Sequence, residues 1–226
     1  VSYMNVENFT ISGAGLREGI MFNQALPSTI EKPVSDVLTY SLTTLVKWYD
    51  CDEKHVEHVV NLSIQLFKQL RVLHKFPRQY LKVLKVAATL HDCGMRIKYY
   101  NHQRHSWYMI LNANLYGVTH REIVLAAFTA CCHKKEDINP LDWARFKDIL
   151  HEDDIEIVKR LGVMLRIAES LDRSMSGCIK GINCDILGDS VIMKTEVEGD
   201  ASLEIRDAMA AGAEFKKSFH KNLEIL

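Results

Sequence analysis

The stretch from Tyr80 to Leu90 most constrains how this chain can fold. It holds Tyr80, Leu81, Val83, Leu84, Val86, Ala87, Ala88 and Leu90. A helix built from these residues is apolar nearly all round, so other elements must cover it on every side. Pro77 marks its start, and it runs into His91-Asp92 before Gly94. An unpaired carboxylate at the end of a central helix costs on the order of several kcal/mol. Asp92 therefore needs a strong partner. A divalent cation would take both residues at once through nitrogen and oxygen. The plainer alternative is an Asp that caps the next turn, with His91 packed beside it.

Helical periodicity extends on both sides, from Ser35 to Asp172. Ser35 or Asp36 caps a first helix to about residue 49, and Asp52 caps a second to about residue 74. The third runs from Pro77 to near Gly94. Asn101 caps a fourth to about residue 115, with Gly117 after it. Thr119 and Glu122 have capping-box spacing for a fifth, ending near His133. A short sixth lies near 141–150, and Asp153 or Asp154 opens a seventh, to about Asp172. After Gly177 the texture becomes strand-like over 179–187, 191–197 and 202–205, with turns at Gly188-Asp189 and Gly199-Asp200. A last amphipathic helix covers about 207–219. The expected class is mostly α, a helical bundle with a small antiparallel β appendage near the C-terminus. Residues 1–33 read differently: 8–12 alternates like a strand, Gly13, Gly15 and Gly19 follow, and Pro27 and Pro33 bracket a linker. The boundaries are thus 1–33, 34–176 and 177–226, with the first piece too short for a domain of its own.

The informative residues are polar ones on apolar faces. On the second helix Val59, Leu62, Leu66, Leu70 and Leu73 share a side with His55, whereas His58 lies beside Lys54, Asn61 and Gln65 and is expected to face water. On the seventh, Leu161, Leu165 and Ala168 lead to Asp172, with Arg166 and Arg173 on the other face. His105 sits inside the fourth helix, next to Trp107, Tyr108 and Ile110. His102, one turn earlier, is expected to be exposed. His133 closes the apolar 123–132 segment, and Lys134 and Lys135 follow. Each residue alone reads as well as a hydrogen-bonded structural group, cap or salt-bridge member. Five helices that each bring a His or Asp to a core-facing position are harder to explain that way. If they converge, the donors suit Mn²⁺, Fe²⁺, Zn²⁺ or Mg²⁺.

Composition narrows the class further. The net charge of −1 is unlike that of a general nucleic-acid binder, though it leaves room for a basic phosphate pocket. No apolar run approaches the roughly 20 residues needed to span a bilayer, and no secretory signal opens the chain. The six cysteines form no CxxC pair, which argues for reduced thiols in a cytoplasmic protein.

The donor order His, His-Asp, His, His, Asp is the signature of the HD superfamily, and residues 90–94 (LHDCG) resemble its doublet motif. Residues 13–19 (GAGLREG) resemble the stretch closing the second actin-like domain of the exopolyphosphatase and guanosine pentaphosphate phosphohydrolase family. Residues 105–112 (HSWYMILN), 133–135 (HKK) and 165–174 (LRIAESLDRS) resemble that family's C-terminal helical region. Members have an actin-like phosphatase part followed by a helical HD-like domain. The resemblance implies that residues 1–33 end the first part, that 34–176 form an HD-type helical domain, and that 177–226 are an α+β extension. The family's main catalytic residues map to no position here. Lys134 departs from the pattern, which often has Arg there; Lys loses bidentate phosphate binding.

The expected activity is metal-dependent hydrolysis of a phosphoanhydride or phosphoester bond. His55, His91, Asp92 and Asp172 would hold a first ion. His105 and His133 would complete a second site, with Asp92, His105 and His133 as catalytic candidates. Lys134, Lys135 and Arg173 would hold phosphate charge, or form a solvated basic rim. The competing readings are a regulatory module that binds polyphosphate or a guanosine alarmone for the actin-like domain, and a metal-free scaffold for a homodimer. Expected partners are a phosphate-containing small molecule or polyphosphate and the upstream actin-like domain, with neither membrane nor specific nucleic acid.

Overall fold

The computed structural model describes residues 15–25, 36–134 and 138–226. It divides into two units, 1–37 and 38–226. In the first, helix α1 (Leu16–Ala25) begins with the Gly15 N–H donating to Glu18 Oε2 at 2.8 Å. The glycine-punctuated stretch thus continues as a helix that includes Gly19. The strand expected over 8–12 lies outside the described residues.

The second unit follows the helical period. Helix α2 spans Val37–Trp48. Asp52 caps α3 (Glu53–Gln69) by accepting the His55 N–H at 2.9 Å. That cap fixes the phase of the helix, so His55, Val56, Val59, Leu62, Ser63, Leu66 and Phe67 form its buried stripe. The helix breaks at Leu70 before a single turn, α4 (Arg71–His74), that ends on Lys75 in the left-handed region. Helix α5 (Gln79–Leu90) is buried as its composition demands, packed against α3 and α7. Each Leu or Val removed from water there contributes about 1.5–3 kcal/mol. After α5 comes a 3₁₀ turn, Cys93–Arg96, and then α6 (His102–Asn112). Helix α7 (His120–Cys131) starts with the full Thr119–Glu122 capping box. A five-residue α8 (Pro140–Ala144) precedes α9 (Asp154–Ser170), which packs on α3 and α7.

A buried ion pair fixes the start of α9. Asp154 is fully buried, accepts the His151 N–H at 2.8 Å and binds Arg121 of α7 through both carboxylate oxygens. Arg121 Nη2 also donates to the Tyr80 hydroxyl of α5 at 3.2 Å. One charge network therefore ties three core helices together.

The C-terminal residues pack within the same unit. Strands β1 (Ile179–Leu187) and β2 (Ser190–Val197) form the expected antiparallel hairpin. Residues 202–205 are helical, contrary to the strand expected from their alternation. Helix α10 (Ser202–Met209) buries Ala201, Glu204 and Ala208, a helical spacing. Helix α11 (Gly212–Phe219) follows, so the single helix expected over 207–219 is split in two. The third strand is β3 (Asn222–Ile225), and it pairs parallel to β2. Among the described residues no helix is long and apolar enough to cross a membrane.

Candidate metal centre

The ends of α5 and α7 and the start of α6 meet at one point in the core. His91, just past α5, turns Nδ1 to the Ala88 carbonyl at 2.8 Å. His133, just past α7, does the same to Ala130 at 2.5 Å, and His102 at the head of α6 to Tyr99 at 2.8 Å. Each carbonyl lies three residues back, so each Nδ1 carries the proton and donates it. The same device acts three times, and in the neutral ring it leaves each Nε2 as a bare lone pair.

All three lone pairs point at Asp92. His102 Nε2 lies 3.2 Å and His133 Nε2 3.5 Å from Asp92 Oδ1, while His91 Nε2 lies 3.5 Å from Oδ2. His55 Nε2 approaches Oδ2 at 3.9 Å from α3. Two trios result, each with donor atoms within 4.8 Å of one another: His55, His91 and Asp92, and Asp92, His102 and His133. All five residues are buried. Among the described residues, His91 Nε2 and Asp92 Oδ1 have no hydrogen-bond partner. Buried polar atoms are rarely orphaned, and acceptors facing acceptors are satisfied only by a proton or a cation between them. The donor set therefore fits a divalent ion.

The electrostatics agree. Burial pushes the Asp92 carboxyl up, but positive charge at this point outweighs it: protons on the surrounding imidazoles, His91 foremost, would hold the carboxyl below the usual carboxylate range, and a cation in their place would act in the same direction. Burial and the neighbouring His91 push His133 down to about 3, so it is a neutral ring with its lone pair available. Metal ligands must be deprotonated, and both groups already are at neutral pH.

Asp172 stands behind His55. Its Oδ2 accepts from His55 Nδ1 at 2.8 Å and its Oδ1 accepts the Gly177 N–H at 2.9 Å. It belongs to neither trio; it fixes the ring whose other nitrogen faces Asp92. The His102–His105 pair is reversed relative to expectation. His102 is buried in the second trio, whereas His105 is partly buried and in neither. The cause is Gly94: a Cβ there would lie 2.2 Å from the His102 carbonyl oxygen and 2.4 Å from the Ser106 nitrogen. The turn after His91-Asp92 can therefore touch the first turn of α6, and the Gly94 N–H donates to Ser106 Oγ at 2.9 Å. His58, expected to face water, is partly buried.

Sequence reasoning overlooked Glu169. It is buried on α9, and its Oε1 takes Lys134 Nζ at 2.7 Å and Arg173 Nη1 at 3.2 Å. Leu165, Glu169 and Asp172 follow one helical stripe, and that spacing could have found it. Arg173, assigned to the other face, reaches back to the same carboxylate. Lys135 lies outside the described residues. A cavity of about 220 Å³ opens onto His55 and Asp92, walled by Tyr49, Cys51, Met95 and Met175 and edged by Asp50, Asp52 and Arg96.

A family model described as Ppx/GppA phosphatase, domain III, matches residues 37–206. The chain belongs to the Ppx/GppA phosphatase family. Every residue of both trios lies within the matched domain III segment. Curated relatives agree: the chain is 30% identical over 117 residues to a guanosine-5'-triphosphate,3'-diphosphate pyrophosphatase of Aeromonas salmonicida, covering 51% of this chain and 23% of the relative. Proteins of the same name from Aliivibrio fischeri (30% over 116 residues, 51% of this chain and 22% of the relative) and Pseudoalteromonas translucida (25% over 136 residues, 59% and 26%) also match. The chain thus spans about a quarter of the length of the Ppx/GppA relatives it matches.

Proposed function

We propose that this Ppx/GppA domain III is a metal-dependent phosphohydrolase module of the HD type, acting on a phosphoanhydride or phosphoester bond. The observation that carries the reading is the convergence of bare Nε2 atoms on Asp92. His55, His91 and Asp92 would hold one ion, and Asp92, His102 and His133 a second. A donor set this rich in imidazole favours Mn²⁺, Fe²⁺ or Zn²⁺ over Mg²⁺. When bound, such an ion supplies Lewis acidity toward a phosphoryl oxygen and lowers the pKa of a water.

The chain's own residues do the rest. Asp172 holds His55 in the tautomer that presents Nε2. Glu169 keeps Lys134 and Arg173 side by side, and each cation retains further N–H donors for phosphate charge. The cavity over His55 and Asp92 has room for a phosphoryl group, with Tyr49, Met95 and Met175 in its lining. The relatives' name supports a guanosine polyphosphate as substrate, with polyphosphate the family alternative. In this reading residues 1–33 belong with an upstream actin-like domain, and the protein works in the cytoplasm.

The test is turnover of a panel of phosphoanhydrides and phosphoesters before and after chelation, with Mn²⁺ restored. The expected result is metal-restored hydrolysis that Asp92→Ala with His91→Ala abolishes. Hydrolysis that survives both chelation and the double substitution would falsify the proposal. Metal-dependent binding without turnover would assign the domain a regulatory role instead.

A further inference from the structure

The loop after α9 carries Asp172, so whatever holds that loop also holds His55. It is short and sharply turned, with Met175 at φ 57° and Gly177 at φ 63°. Asp172 Oδ1 ties it from inside through the Gly177 N–H. The outer tie comes from the C-terminal extension. Glu204 of α10 accepts the Ser174 N–H at 3.2 Å and the Ser174 hydroxyl at 2.5 Å, both on Oε1. Ser174 Oγ also lies 2.8 Å from Ser176 Oγ. One turn on, Asp207 Oδ2 sits 3.7 Å from Arg173 Nε.

Glu204 is 2% exposed, on a helix face whose other buried members are Ala201 and Ala208. A carboxylate is a poor choice for such a place if packing is all that matters, because an apolar side chain avoids its desolvation cost. Burial pushes the Glu204 carboxyl up, and the Ser174 donors more than reverse this, so it stays charged and committed to that loop. The same loop supplies Met175 to the wall of the cavity over His55 and Asp92.

We propose that α10 is a positioning element for the metal centre and that Glu204 is its positioning residue, setting where Asp172 holds His55 by fixing the 171–178 loop. The link to a metal rests on the function proposed above; the link to the loop does not.

The test uses the full chain with Glu204→Ala, Glu204→Gln and, as a packing control, Phe215→Leu in the buried face of α11. Three quantities are read: amide exchange of the 171–178 loop, Mn²⁺ affinity by calorimetry, and Tm. Glu204→Ala is expected to speed loop exchange and weaken Mn²⁺ binding by about 10-fold or more, the range for groups that orient a ligand. Glu204→Gln keeps one acceptor oxygen for Ser174 and should recover much of both. Phe215→Leu should lower Tm without loosening the loop. Unchanged loop exchange in Glu204→Ala overturns the inference, as does equal loosening by the control. If the wild-type chain binds no Mn²⁺, the metal reading fails while loop exchange still decides the role of Glu204.

Discussion

His102 and His133 face each other with their Nε2 atoms 3.0 Å apart, and in both rings Nδ1 is occupied by a main-chain carbonyl. Burial pushes the His102 ring down and the Asp92 carboxylate more than reverses this, so the facing nitrogens call for positive charge between them, as a proton or as a cation. An ion between the rings and Asp92 would supply that charge, and Asp92 is the one residue common to both trios.

If Asp92 serves both trios, as proposed, the loss pattern is specific. Asp92→Asn is expected to remove divalent binding at both trios, whereas His133→Ala or His102→Ala should remove one and leave the His55, His91 and Asp92 trio able to load. His105→Ala should leave loading unchanged. Bound Mn²⁺ per chain, measured by spin resonance after desalting, distinguishes these outcomes. A His105 variant that loses an ion while His102→Ala keeps it would contradict the geometry.

Gly94 makes a steric prediction. A methyl group there meets the His102 carbonyl oxygen and Ser106 nitrogen far inside van der Waals contact, and both are backbone atoms that cannot swing aside. Overpacking of this kind costs about 1–3 kcal/mol or more. Gly94→Ala should therefore lower stability in urea and also displace His102, so that the second trio loses its ion first. A variant with lower stability but undiminished ion loading would mean that α6 shifts as a rigid piece with His102 still in place.

These two cases show where the sequence was legible. The trunk of the bundle was: Asp52, Thr119 with Glu122, and the apolar period of 80–90 fix α3, α7 and α5, and with them His55, His91, Asp92 and His133. The fault lay at α6, where His105 reads as interior to the helix and His102, near the helix start, reads as exposed. A wheel describes a helix interior, but His102 is the first residue of α6, turned inward by a left-handed Asn101 and by the glycine contact from a different element. Residues 202–205 failed for another reason. Ser-Leu-Glu-Ile alternates as a strand does, yet the buried residue is Glu204, held by Ser174, and Leu203 is exposed. A tertiary hydrogen bond chose the face that hydropathy would have rejected.

Asp154 gives a stability prediction independent of any ion. Its carboxylate is buried and binds Arg121 through both oxygens while accepting a main-chain N–H. Removing one partner of a buried pair strands the other, at about 3–5 kcal/mol. Asp154→Ala should show that loss in urea unfolding, with Arg121→Ala close behind, and the double variant should lose less than the sum. Strict additivity would show that the two do not act as a pair.

His74 predicts how stability responds to acid. It is buried, its Nε2–H donates to the Phe67 carbonyl at 2.8 Å, and its Nδ1 accepts the Phe76 N–H at 2.8 Å. Both nitrogens are thus committed to the neutral ring. Burial lowers its pKa, Arg160 and Arg71 lower it further, and the Phe67 carbonyl only partly offsets them. The unfolded chain then takes up a proton near about pH 6.5 that the folded chain refuses. The stability held by neutral His74 is therefore complete above that value and is lost as pH falls from there toward the folded pKa. The slope from one such proton is at most about 1.4 kcal/mol per pH unit. His74→Gln should be less stable than the wild type at neutral pH, and the gap should narrow as the solution is acidified. A gap that stays constant from neutral pH down through the histidine range would mean that His74 titrates as it does in the unfolded chain, and that its two hydrogen bonds do not select the neutral ring.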